Sequence, residues 1–207
     1  MKIDLEKMNT RDLHHLLMSS IVPRPIAWVS SVSGDGIFNL APFSAYCVMS
    51  VKPAIVGFGV AMTRDGKKKD TLINIEATKE FVINVVDETL AEDMNITAAP
   101  YPGEVDEFKK AGMTPVMADL VKVPMVSESP IKMECRLHQI MEFGEAPSTN
   151  RFIVGEILRV HVKDEIFIDD DIQMAKLKAI GRLGGRGGDQ YCRTTDIFEM
   201  PRPTLNT

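Results

Sequence analysis

The chain has 207 residues, 44% of them hydrophobic, which is long enough for one substantial core and short for two. Its formal net charge of −5 argues against general nucleic-acid binding, where a basic domain is expected, but leaves room for a local anion site. The charged start MKIDLEKMNTRDLHHLL lacks a signal-peptide apolar segment, the longest apolar run (AIVGFGVAM) is nine residues, and Cys47, Cys135 and Cys192 form no C-x-x-C pair, so a cytoplasmic protein with reduced thiols and no membrane span is expected.

Residues 4–18 read as a helix. It must end before Val22-Pro23-Arg24-Pro25, because Val22 and Arg24 each precede a proline and are pushed into extended geometry. Ile26-Ala27-Trp28-Val29 suits a buried strand, Ser33-Gly34-Asp35-Gly36 a turn, and residues 37–44 a returning strand. Residues 46–51 and 54–61 make a further pair around Lys52-Pro53. Asp70 offers an N-cap to a short helix over 71–78, and residues 81–86 alternate as a strand. Asp87 can cap a helix carrying Leu90 and Met94 on one face. Residues 104–111 form another short helix, with Val105 and Phe108 inward and Gly112 placed to end it in the left-handed conformation.

The clearest periodicity comes later. In IKMECRLHQIMEF the odd positions are apolar from Ile131 to Leu137 and again at Met141 and Phe143, with Lys132, Glu134, Arg136 and His138 between them. In RFIVGEILRVHV the even positions Phe152, Val154, Leu158, Val160 and Val162 are apolar. Period two over such lengths means half-buried strands, and residues 144–150 (GEAPSTN) can join them as an antiparallel pair. Few helices of crossover length intervene, so a mainly β, antiparallel barrel with short helices is expected rather than a doubly wound sheet. No repeat, linker or boundary divides residues 1–207, which read as one domain: a helix at about 4–18, a barrel core at about 22–195 and a short tail.

His14-His15 lacks a third ligand at a helical or loop spacing, His138 and His161 stand alone on strands, and Asp169-Asp170-Asp171 lacks the glycine and terminal glutamate of a calcium loop. No metal is expected. LGGRGGDQ (183–190) has no G-x-G-x-x-G and opens no amphipathic helix, which leaves a flexible loop or a close backbone approach to a ligand. No Ser/His/Asp or Cys/His spacing suggests a nucleophile. The basic stretch TRDGKKKDT (63–71) could be a solvated turn, and Lys67 and Lys68 fit that reading. Lys69-Asp70-Thr71 differs, because free N–H groups at a helix start, a Thr71 hydroxyl and charge from Arg64 and Lys69 are what a phosphate dianion needs.

Four segments occur in one order: PRPIAWVSS (23–31), NLAPFS (39–44), Arg64 with Lys69-Asp70-Thr71 and Asn74-Ile75, and FVINVV (81–86). Over roughly residues 15–195 the chain resembles the flavin reductase-like family of FMN-binding split-barrel proteins, with Arg182-Leu183-Gly184-Gly185 and Tyr191 similar to that family's closing segment. The resemblance implies a Greek-key split barrel, a homodimer and one FMN per subunit. It assigns Arg64, Lys69 and Thr71 to the phosphate, with Asp70 capping the helix or orienting a cation. It runs Ala41, Pro42, Phe43, Ser44 and Ala45 along the isoalloxazine, with Ser30 and Ser31 as lesser candidates for ribityl or ring contact. Trp28, alone in a β run, is expected in the core. The implied activity is hydride transfer from NADH or NADPH to flavin, in which no acid–base pair is needed and no catalytic residue is named. Arg182 stands where many family members carry a histidine, and is a candidate contact for a nicotinamide nucleotide or another acceptor. The alternatives are a flavoredoxin-like FMN electron carrier serving a protein partner, and a split-barrel binder of another ligand.

Overall fold

The computed structural model describes residues 1–63, 65–145, 149–185 and 187–204. The expected N-terminal helix is divided. Asp4 caps a single turn at Leu5–Lys7, and the Asn9 side chain accepts the Asp12 N–H at 2.9 Å to start α1 (Thr10–Ser20). Each polar side chain captures backbone donors of its own, so one continuous helix does not form.

The strands expected next are present as β1 (Ala27–Val32), β2 (Phe38–Phe43), β3 (Tyr46–Ser50) and β4 (Ile55–Ala61), followed by α2 (Asp70–Thr78) and β5 (Glu80–Asn84). Two short helices, α3 (Ala91–Ile96) and α4 (Glu107–Ala111), precede a small hairpin of β6 (Pro115–Met117) and β7 (Pro124–Val126). Gly112 ends α4 at φ 68°. The long hairpin is β8 (Ile131–Phe143) and β9 (Asn150–Val162). Beyond it lie β10 (Phe167–Ile168), β11 (Asp171–Ile172), α5 (Met174–Leu177), β12 (Ile180–Arg182) and β13 (Tyr191–Arg193). No helix is long and apolar enough to cross a membrane.

Seven strands make one antiparallel sheet in the order β2-β1-β5-β8-β9-β4-β3. Its outermost strands, β2 and β3, are consecutive in the chain and joined only by Ser44 and Ala45, so the sheet must curl until its ends meet. At this seam the Ala45 carbonyl accepts the Gly59 N–H at 2.8 Å, which extends the β3–β4 pairing by one step. The interior holds Val29, Phe43, Val56, Phe58, Ile75 and Phe81, with the Phe58 ring 5.2 Å from Phe43 and 5.6 Å from Phe81. A side chain at Gly155 would collide with the Phe81 ring, which is why β9 carries glycine there. Trp28 points to the opposite face, in a second core with Leu40, Met94 and Phe108, and its Nε1 donates to Thr97 Oγ1 at 2.8 Å.

Strict alternation fails in β8. Its register against β9 shifts between Glu134 and Cys135 and again between Leu137 and Gln139. Glu134, expected on the solvent face, keeps the face of its β5 partner Val82, opposite to Cys135, and is fully buried there because residues 119–121 cover it. His161, expected to stand alone, lies 2.6 Å from Glu134 Oε1. The distal half of the hairpin leaves Met141 and Phe143 exposed.

Candidate functional site

α2 starts one residue earlier than expected. Lys69 is the N-cap and contributes no side-chain cap bond, while Asp70 is the first helical residue and does not cap. The Lys69 carbonyl accepts the N–H groups of Leu72 and Ile73, at 2.9 and 3.1 Å, leaving those of Asp70 and Thr71 without an acceptor among the described residues. Asp70 instead lays its carboxylate against Gly103, where a Cβ would lie 2.9 Å from Oδ1. The cations of this stretch sort sharply. Lys67 pairs with Asp65 at 2.8 Å and Lys68 with Glu76 at 2.6 Å. Lys69 forms no ion pair among the described residues; its Nζ sits 5.5 Å from the Phe43 ring centroid, and burial lowers its pKa. Arg64 lies outside the described residues.

A cavity of about 190 Å³ opens at this helix start, bordered by Ala41 and Pro42 of β2, by Lys69, Asp70 and Thr71, by residues 97–101, and by Glu107. From Thr71, Asn39 and Glu107 of its wall a chain of buried polar groups runs inward. Thr71 Oγ1 donates to Asn39 Oδ1 at 2.7 Å, Ser31 Oγ donates to the same oxygen at 3.1 Å, and Asn74 Nδ2 donates to Ser31 Oγ at 3.1 Å. Asn39 Nδ2 donates to Glu107 Oε1 and the Leu40 N–H to Oε2, both at 3.1 Å. Burial raises the Glu107 pKa in spite of these bonds, with the Asp70 charge adding to the rise.

The residues named from sequence therefore divide. Ala41, Pro42, Lys69, Asp70 and Thr71 share one cavity. Phe43 packs in the barrel core beneath Lys69, and Ala45 extends the β3–β4 pairing by one step through its bond from Gly59. Ser30 and Ser31 are fully buried, Ser30 donating to the Pro124 carbonyl at 2.6 Å and Ser31 to Asn39, so neither hydroxyl reaches the cavity. Ser44 and Arg182 lie together at a second cavity of about 320 Å³, with His14, His15, Arg24 and the glycine loop. There Arg182 donates to Tyr191 Oη at 2.5 Å and to the Gly188 carbonyl, with its guanidinium 4.7 Å from the Tyr191 ring centroid.

Sequence reasoning missed Asn39 as a wall residue, Glu107, the 97–101 segment and Arg24. A polar Asn39 amid the apolar FNLAPF strand was a usable signal; nothing in the sequence distinguished Glu107 from the neighbouring acids of its helix.

A model of the flavin reductase like domain matches residues 18–175. A protein of Halalkalibacterium halodurans is 34% identical over 209 residues, covering 100% of this chain and 98% of its own length. Among solved structures, nitrilotriacetate monooxygenase component B from Bacillus cereus is similar at a TM-score of 0.91 and 31% identity, over 97% of this chain and 98% of that one. The Pseudomonas fluorescens 2-nitrobenzoate 2-nitroreductase NbaA is similar at a TM-score of 0.87 and 30% identity, over 99% and 98% of the two chains.

Proposed function

This chain belongs to the flavin reductase-like family, and from that premise we propose that it binds FMN and transfers hydride to it from NADH or NADPH. The observation that carries this reading is Lys69 with no ion pair and two N–H groups with no acceptor among the described residues, beside the Thr71 hydroxyl at one cavity edged by Ala41 and Pro42. That donor set suits a phosphate dianion: a helix start supplies N–H groups and positive potential, and the exposed Lys69 ammonium supplies charge. Thr71 would turn its hydroxyl from Asn39 to a phosphate oxygen. The backbone of residues 41–45, at the seam of the barrel, is the surface available to the flavin ring. Bound FMN supplies the redox chemistry; the chain supplies position, a phosphate anchor and exclusion of water.

The same reading includes a homodimer. β3 is an outer strand of the sheet and exposes Val48 and Met49, with Val51 just beyond it, an apolar strip that a second copy can cover.

The deciding experiment is the absorption spectrum of the purified protein with FMN, before and after NADH and NADPH. Flavin bands that bleach on adding a nicotinamide nucleotide are expected. A flavoprotein whose bands ignore both nucleotides overturns the reductase reading in favour of an electron carrier. A protein with no FMN affinity overturns the flavin reading itself.

A further inference from the structure

Arg24 and Arg182 form an isolated antiparallel bridge, Arg24 N–H donating to the Arg182 carbonyl at 2.9 Å and Arg182 N–H to the Arg24 carbonyl at 2.8 Å. Residues paired in this way project their side chains to one face, where like charges repel. Arg24 is also only 7% exposed. Its guanidinium donates to the carbonyls of Met18, Ile21 (3.0 Å) and Leu183 (2.9 Å) and to Ser44 Oγ at 3.3 Å. Carbonyl dipoles satisfy donors without neutralising a full charge, and a buried unneutralised charge is costly. Neither arginine has a carboxylate partner among the described residues, and no carboxylate borders the cavity they share. Burial, and then the charge of Arg182, lower the Arg24 pKa.

The rest of the cavity adds further hydrogen-bonding groups and no carboxylate among the described residues. His14 and His15 of α1 border it, and so does the backbone of the glycine loop. That loop lies directly on α1: any side chain at Gly184 would collide with Ser19, and the Gly185 N–H donates to Ser19 Oγ at 3.1 Å. Gly185 holds φ 93°, which favours glycine. Two guanidiniums, two imidazoles and a tight backbone thus converge from α1, the segment before β1, β12 and the loop after it.

We propose that this cavity is a second anion site, separate from the α2 site, that takes a phosphate or carboxylate group of the reactant exchanging electrons with the flavin. The anion site rests on the arginine pair alone. Its link to the redox reactant rests on the flavin reading, because Ser44, held by Arg24, belongs to the 41–45 segment assigned to the flavin ring.

Calorimetric titration of inorganic pyrophosphate into the full chain tests this. Arg182→Gln should weaken binding about tenfold or more, since it removes one charged fork. His15→Glu, a charge change at the cavity border that leaves every arginine bond in place, should weaken it several-fold, and it decides alone should Arg182→Gln fail to fold. Lys69→Ala should leave pyrophosphate binding in place while lowering FMN affinity. Pyrophosphate affinity that follows Lys69 rather than Arg182 and His15 overturns the second site. A wild-type chain that binds pyrophosphate through Arg182 but never binds FMN overturns the flavin reading and leaves the anion site standing. Displacement of pyrophosphate by NADPH identifies a nucleotide phosphate as the natural occupant, and displacement by benzoate a substrate carboxylate. Displacement by neither overturns the link to a reactant.

Discussion

Glu107 and Glu134 are both buried carboxylates, 5% and 0% exposed, yet their pKa values move in opposite directions. For Glu134, burial alone would raise the value. The bond from His161 and the N–H groups of Leu120, Asp119 and Val121 outweigh it and hold the carboxyl below the ordinary range. Glu107 is favoured by the Leu40 N–H, its own N–H and the Asn39 amide, but the nearby Asp70 charge works against it and burial wins. A carboxylate that the fold fully compensates is scaffold, here pinning residues 119–121 onto β8. One left short of donors, at a cavity whose Lys69 has no ion pair among the described residues, marks a place where charge is kept for something else. The contrast predicts that substitutions near Glu107 alter ligand affinity, and those at Glu134 alter stability.

The largest effect is expected on the Glu107 side. Lys69→Ala combined with Thr71→Ala removes one charged and one neutral phosphate donor, together about 3 kcal/mol, so the FMN Kd should rise roughly 100-fold. Flavin fluorescence quenching measures it, with urea melts to show that the fold is retained. Unchanged FMN retention by a folded double variant removes the phosphate from this cavity.

Glu134→Gln should do the reverse. An amide there turns a donor toward the 119–121 N–H groups, costing about 2 kcal/mol of stability at neutral pH with FMN affinity unchanged. The sign of the pH dependence follows from the depressed folded value. The stabilisation is complete above the ordinary glutamate pKa of about 4.3 and is lost as pH falls through the lower folded value. Wild type should therefore lose more stability on acidification than the glutamine variant. Parallel acid limbs in urea melts would show that Glu134 is not the anchor.

Most of the scaffold was legible because it rests on local rules. Period two marked β8 and β9, turn residues marked Ser33-Gly34-Asp35-Gly36, and Gly112 marked the end of α4. What escaped were departures that need a tertiary partner. Glu134 sits at a solvent-face position by alternation and keeps that face, but residues 119–121 fold over it and bury it. Asp70 has the residue type of an N-cap, yet its carboxylate lies against Gly103, thirty-odd positions away, and Lys69 takes the cap. Ser30 and Ser31 resemble ligand contacts in sequence, but Pro124 and Asn39 claim their hydroxyls inside the fold. At the candidate site, sequence marked residues 41–42 and 69–71. The opposite wall, residues 97–101 and Glu107, comes from segments whose own patterns say nothing of where the chain brings them.

The smallest effect is the most discriminating. Glu107→Gln removes a negative charge from the cavity proposed for the phosphate, a gain of about 0.7 kcal/mol through partly screened Coulomb interaction, or roughly threefold tighter FMN binding. Because the folded Glu107 value is raised, wild type should neutralise this group at a higher pH than an ordinary glutamate does. Its FMN affinity should therefore rise as pH falls through that region, an increment missing from the glutamine variant. The phosphate of free FMN titrates identically with both proteins, so the difference between their pH profiles reports the coupling between Glu107 and the bound phosphate. Superimposable profiles would mean that Glu107 does not feel the phosphate. The imbalance that separates it from Glu134 would then be a matter of packing rather than of binding.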